Sequence, residues 1–143
     1  MCQSPSDAGK YQRLRVGVQM AVIMLVEDEL LIAMDLYEML EQLGHEVDGP
    51  YMTVAQAEDA LRSDLPDIAL LDAQLRDKEV DEVARRLHEA GVPIVFHSGH
   101  VREVEYTKRY PGSRFCPKPA SPTDIVKAVN QQLDLSKSRL DVT

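Results

Sequence analysis

The chain has 143 residues and a net charge of −8, a length that suits one domain with its own core. Its acidic balance disfavours a broad nucleic-acid or anionic-membrane surface, and its two cysteines are too few for a disulfide framework. No apolar run approaches the roughly 20 residues that a bilayer requires, and no signal-peptide core is present, so we expect a cytoplasmic protein.

The predicted organisation is one compact domain between two tails. Residues 1–20 are polar and contain Gly, Pro and Ser, which predicts a flexible N-terminal tail. Residues 21–135 form the predicted domain, and 136–143 a short C-terminal tail. Within the domain, short apolar runs alternate with stretches of helical period, a pattern typical of buried parallel strands joined by helices.

Five strands and five helices are predicted in alternation. The predicted strands cover 21–25, 45–50, 66–72 and 92–99, and a short fifth strand lies within 114–119. The first helix begins near Asp28 and ends at Gly44, the second covers 53–63, the third 80–91 and the fifth 121–133. Thr53 and Ser121 are predicted N-caps. The fourth helix, within "VREVEYTKRYPG", has sparse apolar spacing and is predicted to be the most mobile.

The first predicted helix has apolar residues along much of its length. We expect them to pack on the sheet as one side, formed by Leu31, Met34, Leu36, Met39, Leu40 and Leu43. The strand and helix rhythm as a whole predicts an α/β fold with a parallel sheet covered on both faces.

Polar side chains stand where the strands end, and ligands of such sheets bind just beyond the carboxyl ends of the strands. The side chains concerned are Glu27, Asp28, Asp72, Ser98 and Lys118. Carboxylates about 4 Å apart repel by roughly 4 kcal/mol at an effective dielectric near 20, so three cannot stay ionised together uncompensated. Either one holds a proton or a cation enters, and an all-oxygen site suits Mg²⁺.

The same side chains supply the chemical groups that phosphoryl transfer needs. Asp72 can act as the nucleophile, Lys118 as a second cation and Ser98 as a donor to a phosphoryl oxygen. The predicted product is an aspartyl phosphate.

Four motifs in order, "LVEDE", "ALLDAQL", "FHSG" and "CPKPAS", resemble the receiver domain of two-component response regulators over roughly residues 20–135. The resemblance implies a flavodoxin-like (CheY-like) sheet of strand order 2-1-3-4-5. It implies phosphorylation of Asp72 by a histidine kinase or a histidine phosphotransfer protein. The implied Mg²⁺ ligands are Glu27, Asp28, Asp72 and the backbone carbonyl of Gln74.

The resemblance also implies roles around the phosphoryl group. Ser98 matches the switch hydroxyl, Phe115 the aromatic residue that turns inward after phosphorylation, and Lys118 the phosphoryl-binding lysine, whose bond to Pro119 is often cis. Gln74 and His100 lie two positions beyond Asp72 and Ser98, where they are predicted to tune the acyl-phosphate lifetime.

The chain further resembles stand-alone receivers, including a group whose fourth strand runs into "FATGY", where this sequence has "FHSGH". Such regulators bind a downstream protein or pass on a phosphoryl group. The surface expected to change is formed by helix four, strand five and helix five. This surface could form a homodimer or bind another partner. The loop after Asp72 lacks the Pro and Gly usual in the family.

Some of these residues admit other interpretations. Glu29 is interpreted as helix-turn charge. His97 and His100 lack a third zinc ligand nearby, so a loop or partner-facing role is favoured. A metal-dependent phosphatase is disfavoured because residue 74 is Gln and no Gly-rich phosphate loop appears. The alternative that stays open is a degenerate receiver acting as a phosphorylation-independent binding module. We expect no enzymatic activity beyond the chain's own phosphorylation and dephosphorylation.

Overall fold

The computed structural model describes residues 20–75, 78–99 and 103–142, with side chains described as far as Asp134. Within these residues, a parallel sheet has the strand order β2-β1-β3-β4-β5, which confirms the predicted fold. Its strands are β1 (Val22–Val26), β2 (Glu46–Tyr51), β3 (Ile68–Leu71), β4 (Ile94–Ser98) and β5 (Arg114–Pro117). The helices are α1 (Leu30–Gln42), α2 (Val54–Ser63), α3 (Asp81–Glu89), α4 (Glu103–Arg109) and α5 (Pro122–Val142).

The central strands are buried on both faces, because successive side chains point to opposite sides of the sheet. Ile23, Leu25 and Leu70 belong to one core cluster, shared with α1 and α5. Met24 and Leu71 belong to the other, shared with α2 and α3. Double-sided burial explains why these strands read as continuous apolar runs rather than as alternating ones.

The predicted helix caps are present. The Thr53 hydroxyl accepts a hydrogen bond from the Gln56 backbone N–H at 3.1 Å, and Ser121 does the same for Asp124 at 3.1 Å. Gly44 follows the end of α1 with a φ of +92°, a conformation that costs glycine little. These local signals place the helix ends without reference to the rest of the fold.

The predicted apolar side of α1 is partly wrong. Leu31, Met34 and Leu43 are 78%, 57% and 45% exposed. The helix turns about 100° per residue, so the stripe that reaches the sheet passes through Leu36 and Leu40, together with Ala33. Leu31 and Met34 lie on the opposite side, and Leu43 follows the last helical residue.

The last helix continues beyond its predicted end near residue 133. It runs to Val142, so the residues predicted as a C-terminal tail are helical nearly to the end of the chain. Neither Gly nor Pro occurs between Pro122 and Val142 to stop the helix. Among the described helices, none has both the length and the apolarity needed to cross a bilayer.

Candidate functional site

The carboxyl ends of four strands bring the predicted polar residues to one edge of the sheet. Glu27 and Asp28 follow β1, Asp72 follows β3, Ser98 ends β4 and Lys118 follows β5. The three acids and Ser98 are buried, whereas the Lys118 side chain is 20% exposed. The site is therefore a largely buried group of polar side chains, of which Lys118 is the most exposed.

The three acids form a cluster that suits a cation. One carboxylate oxygen from each of Glu27, Asp28 and Asp72 lies within 4.8 Å of the other two. Oxygen ligands at this spacing are the donor set that Mg²⁺ prefers. The residues therefore fit the magnesium ion that the sequence resemblance implies.

Lys118 is the cation that the protein itself supplies to this cluster. Its Nζ atom lies 3.0 Å from Asp72 Oδ2 and 3.1 Å from Glu27 Oε1, with Glu29 Oε1 at 3.8 Å. The Lys118 backbone N–H donates to the Ser98 carbonyl at 2.7 Å, which holds the end of β5 against β4. Burial lowers the pKa of Lys118, but Asp72 and Glu27 outweigh it, so the pKa lies above its ordinary value.

Glu27 is the most buried acid of the cluster, and its pKa reflects that burial. Burial raises the pKa of Glu27 from 4.5 to about 7, and repulsion from Asp72 adds to the rise. The Glu29 backbone N–H, which donates to Glu27 Oε2 at 3.0 Å, and the Lys118 ammonium partly offset it. Burial therefore disfavours the charged form of Glu27, and a divalent cation bound beside it would offset that cost.

Backbone hydrogen bonds hold Asp72 and the loop after it. The Gln74 N–H donates to Asp72 Oδ1 at 3.0 Å, and the Val80 N–H donates to the Ala73 carbonyl at 3.0 Å. Gln74 itself is exposed and forms an isolated antiparallel bridge with Glu79. The loop thus keeps a defined start without the expected Pro and Gly. The role of the Gln74 carbonyl as a metal ligand stays a prediction.

Phe115 is half-buried on β5 and packs against the core cluster that contains Phe96 and Tyr106. Tyr106, on α4, is fully buried; its ring centroid lies 4.9 Å from that of Phe96. Its hydroxyl donates to the carbonyl of Ala73, the residue after Asp72, at 3.4 Å. Sequence reasoning missed Tyr106, although its spacing of four from Tyr110 could have marked an apolar side of α4.

Next to Tyr106, polar contacts join α4 to α3. The Arg109 guanidinium pairs with Asp81 and Glu105 and lies over the Tyr106 ring at 5.3 Å. The Tyr110 hydroxyl donates to Asp81 Oδ1 at 2.8 Å. The position of α4 is therefore set by an aromatic core and an ionic rim together.

The expected loop or partner-facing role of His97 is wrong. Its side chain, one residue inside the end of β4, is 6% exposed, and its Nδ1 atom lies 3.8 Å from Glu27 Oε1. Burial lowers the pKa of His97 to about 4, the Lys118 charge adds to this, and Asp72 opposes it, so the imidazole is neutral. His100 lies outside the described residues.

A separate cavity of about 550 Å³ lies at the opposite, amino end of β1 and β2. Val22, Glu46 and Asp64 are among the residues that line it. None of the predicted site residues contributes to its wall, so we take the acid cluster as the candidate site.

Comparisons with known proteins agree with this assignment. The family model described as "Response regulator receiver domain" matches residues 23–130. The phyllosphere-induced regulator PhyR of Methylorubrum extorquens is 33% identical over 119 residues, which are 81% of this chain and 45% of that regulator. The chain thus spans less than half the length of this curated relative.

Two solved structures of PhyR proteins resemble this chain. PhyR of Brucella abortus is 31% identical with a TM-score of 0.72, covering 95% of this chain and 56% of that one. A mutant of the anti-anti-sigma factor PhyR of Bartonella quintana is 29% identical with a TM-score of 0.65, covering 94% and 55%. Each similarity extends over nearly all of this chain and about half of the other.

Proposed function

Because the chain belongs to the response regulator receiver family, we propose that it is the phosphoacceptor of a two-component or phosphorelay system and is phosphorylated on Asp72. The observation that carries the proposal is the position of Asp72. Its carboxylate is buried at the end of β3, 3.0 Å from the Lys118 ammonium and within the acid cluster of Glu27 and Asp28.

The chemistry is an in-line transfer from a phosphohistidine donor. An Asp72 oxygen bonds to phosphorus, the phosphorus–nitrogen bond breaks, and the leaving imidazole takes up a proton. Lys118 neutralises a phosphoryl oxygen and Ser98 donates a hydrogen bond to another. A Mg²⁺ ion held by Glu27, Asp28, Asp72 and the Gln74 carbonyl would supply the charge that shields the phosphoryl oxygens.

The donor needs a docking surface beside Asp72, and the start of α1 offers one. Glu29, which precedes α1, lies 3.8 Å from Lys118, so the first turn of the helix borders the acid cluster. Leu31 and Met34, exposed beside that turn, present apolar surface to a partner. We propose that a histidine kinase or phosphotransfer protein binds here. Leu31→Asp should slow transfer from such a protein while leaving phosphorylation by acetyl phosphate unchanged.

The output is a change of surface shape. In this proposal the phosphoryl group attracts Ser98, Phe115 moves inward, and the face formed by α4, β5 and α5 changes its affinity for a downstream protein or a second copy. Gln74 and His100 set how long the phosphoryl group survives. The buried thiol of Cys116 accords with action in the cytoplasm.

Likeness to PhyR favours a second candidate for the output. The Bartonella quintana relative is described as an anti-anti-sigma factor, and this chain covers 55% of it. An anti-sigma factor is therefore a second candidate downstream partner. Purified chain, with and without phosphate on Asp72, can be tested directly for binding to one.

The deciding experiment is intact mass measurement after incubation with acetyl phosphate or a phosphorylated histidine donor and Mg²⁺. We expect the wild-type chain to gain one phosphate and Asp72→Asn to gain none. Asp124→Asn, a change at an exposed acid in the first turn of α5, is the matched control and should gain one. No gain with any donor would reject the phosphoacceptor and favour the phosphorylation-independent binding module.

A further inference from the structure

His97 is a polar side chain in a place where an apolar one would pack at lower cost. It lies opposite Cys116 in the β4–β5 register, and its side chain is 6% exposed. Neither ring nitrogen has a hydrogen-bond partner among the described residues. Buried polar groups are nearly always paired, so an unpaired imidazole needs a partner in some state of the protein.

The nearest candidate is a carboxylate oxygen that also lacks a hydrogen bond. Glu27 Oε1 is 3.8 Å from His97 Nδ1; it contacts the Lys118 ammonium at 3.1 Å but without the alignment of a hydrogen bond. The other oxygen, Oε2, already accepts the Glu29 backbone N–H. A hydrogen bond of about 2.9 Å requires the imidazole and Oε1 to approach by about 0.9 Å.

We propose that His97 is a positioning residue for Glu27. When the acid cluster holds a divalent cation, His97 Nδ1–H donates a hydrogen bond to Glu27 Oε1. The inference rests on the proposed function, which places Mg²⁺ at this cluster. A carboxylate that faces a metal is held by hydrogen bonds from outside the ligand set, and such outer contacts strongly affect metal affinity. A neutral imidazole has one N–H to give, which suits it to this task.

A role as a direct ligand fits less well. Among the described residues, the potential metal ligands are Glu27, Asp28 and Asp72. No His97 nitrogen lies within 4.8 Å of an oxygen from each of the three acids. His97 faces the cluster at Glu27, 3.8 Å away, and in this proposal acts on the cation through that carboxylate.

The test measures Mg²⁺ affinity by calorimetry on the full chain for three substitutions. His97→Phe replaces the imidazole by a somewhat larger aromatic ring without a donor, and His97→Ala removes the ring; both should weaken Mg²⁺ binding about 10-fold or more. His97→Asn, whose amide nitrogen can take the place of Nδ1, should recover most of the affinity. Equal affinity in wild type and His97→Phe would overturn the proposal.

Two further measurements separate positioning from general damage. In a Glu27→Ala background, which has no side-chain oxygen at this position, His97→Phe should have no additional effect on affinity, because the contact is already gone. A persisting effect contradicts the proposal. His45, a second buried histidine whose Nδ1 accepts the Ala21 backbone N–H at 3.2 Å, is the matched control. His45→Asn should leave Mg²⁺ affinity unchanged, and an equal loss there would mark a structural effect.

Nitrogen-15 spectra of the wild-type histidine rings need no substitution and so do not depend on whether a variant folds. We expect His97 to carry its proton on Nδ1 and its Nδ1 resonance to shift when Mg²⁺ is added. A proton on Nε2, or an unmoved resonance, would refute the contact with Glu27. Failure of the wild-type chain to bind Mg²⁺ at all would refute the proposed function as well, whereas unaltered affinity in His97→Phe would refute this inference alone.

Discussion

Replacing Glu27 by Gln removes a buried carboxyl whose ionisation opposes folding. Burial raises the pKa of Glu27 from 4.5 to about 7, so the folded protein holds this proton more tightly than the unfolded chain does. Between these two values the unfolded state binds fewer protons, and the free energy of unfolding therefore falls as pH rises. Above pH 7 the full penalty is present.

The size of the penalty follows from the same interval. At about 1.4 kcal/mol for each pH unit, the step from 4.5 to about 7 corresponds to about 3 kcal/mol. Glu27 is 1% exposed, so solvent screens little of it. Below pH 4.5 we expect Glu27→Gln to differ in stability from the wild type only by the cost of burying the new amide. Above pH 7 the free energy of unfolding of Glu27→Gln should exceed that of the wild type by up to about 3 kcal/mol, less the cost of burying the new amide.

Neighbouring groups make a comparison of two proteins necessary. His97 titrates in the opposite sense: burial lowers its pKa from 6.5 to about 4, so its contribution to stability is lost as pH falls through that interval. Asp28, Asp72 and Lys118 also face Glu27. Because all four are present in both proteins, the difference between the two stability curves isolates Glu27 to first order.

The assay is urea unfolding at a series of pH values from 4.0 to 8.5 in the presence of EDTA. Glu38→Gln, a change on the exposed side of α1, is the control and should not alter the pH dependence. A Glu27→Gln protein that is less stable than the wild type at pH 8, or a difference that does not grow with pH, would refute the reasoning.

Three further predictions concern the cation, α4 and the phosphoryl lifetime. Mg²⁺ at 100 times its dissociation constant should stabilise the wild-type chain by about 2.7 kcal/mol in thermal or urea unfolding, and Asp72→Asn should lose most of this; equal gains would argue against the site. Tyr106→Phe, which deletes the hydroxyl contact with Ala73, should cost about 1 kcal/mol of unfolding free energy, whereas no loss would show that the 3.4 Å contact is idle. Changes at Gln74 or His100 should alter the dephosphorylation rate, followed by mass spectrometry, more than they alter stability, and unchanged lifetimes would exclude a tuning role.

The sheet and most of the acid cluster were predictable because they depend on local sequence patterns. In a parallel sheet, residues that follow different strands come close together at one edge. Apolar runs marked the strands, and the rule that strand ends share one edge placed Glu27, Asp72 and Lys118 together before any coordinates. The N-caps at Thr53 and Ser121 likewise depend on contacts within four residues. Strand boundaries shifted by only one or two residues for the same reason.

Burial of particular side chains was less predictable. The exposed Leu31 and the buried Tyr106 both lie on helices, and sequence spacing alone did not show which side of each helix meets the sheet. The order of the strands and the direction in which each helix crosses them decide this. Those are properties of the assembled fold.

By itself, the amino-acid sequence determined the α/β class, the strand order through family resemblance, and the set of acids and the lysine at the strand ends. Only the tertiary structure decided that His97 lies against Glu27 and that Tyr106 reaches the carbonyl of Ala73. The physical reason is the range of the interactions. Caps and strand periodicity act within a few residues, whereas contacts between residues 33 or 70 positions apart exist only after the sheet and its helices have packed.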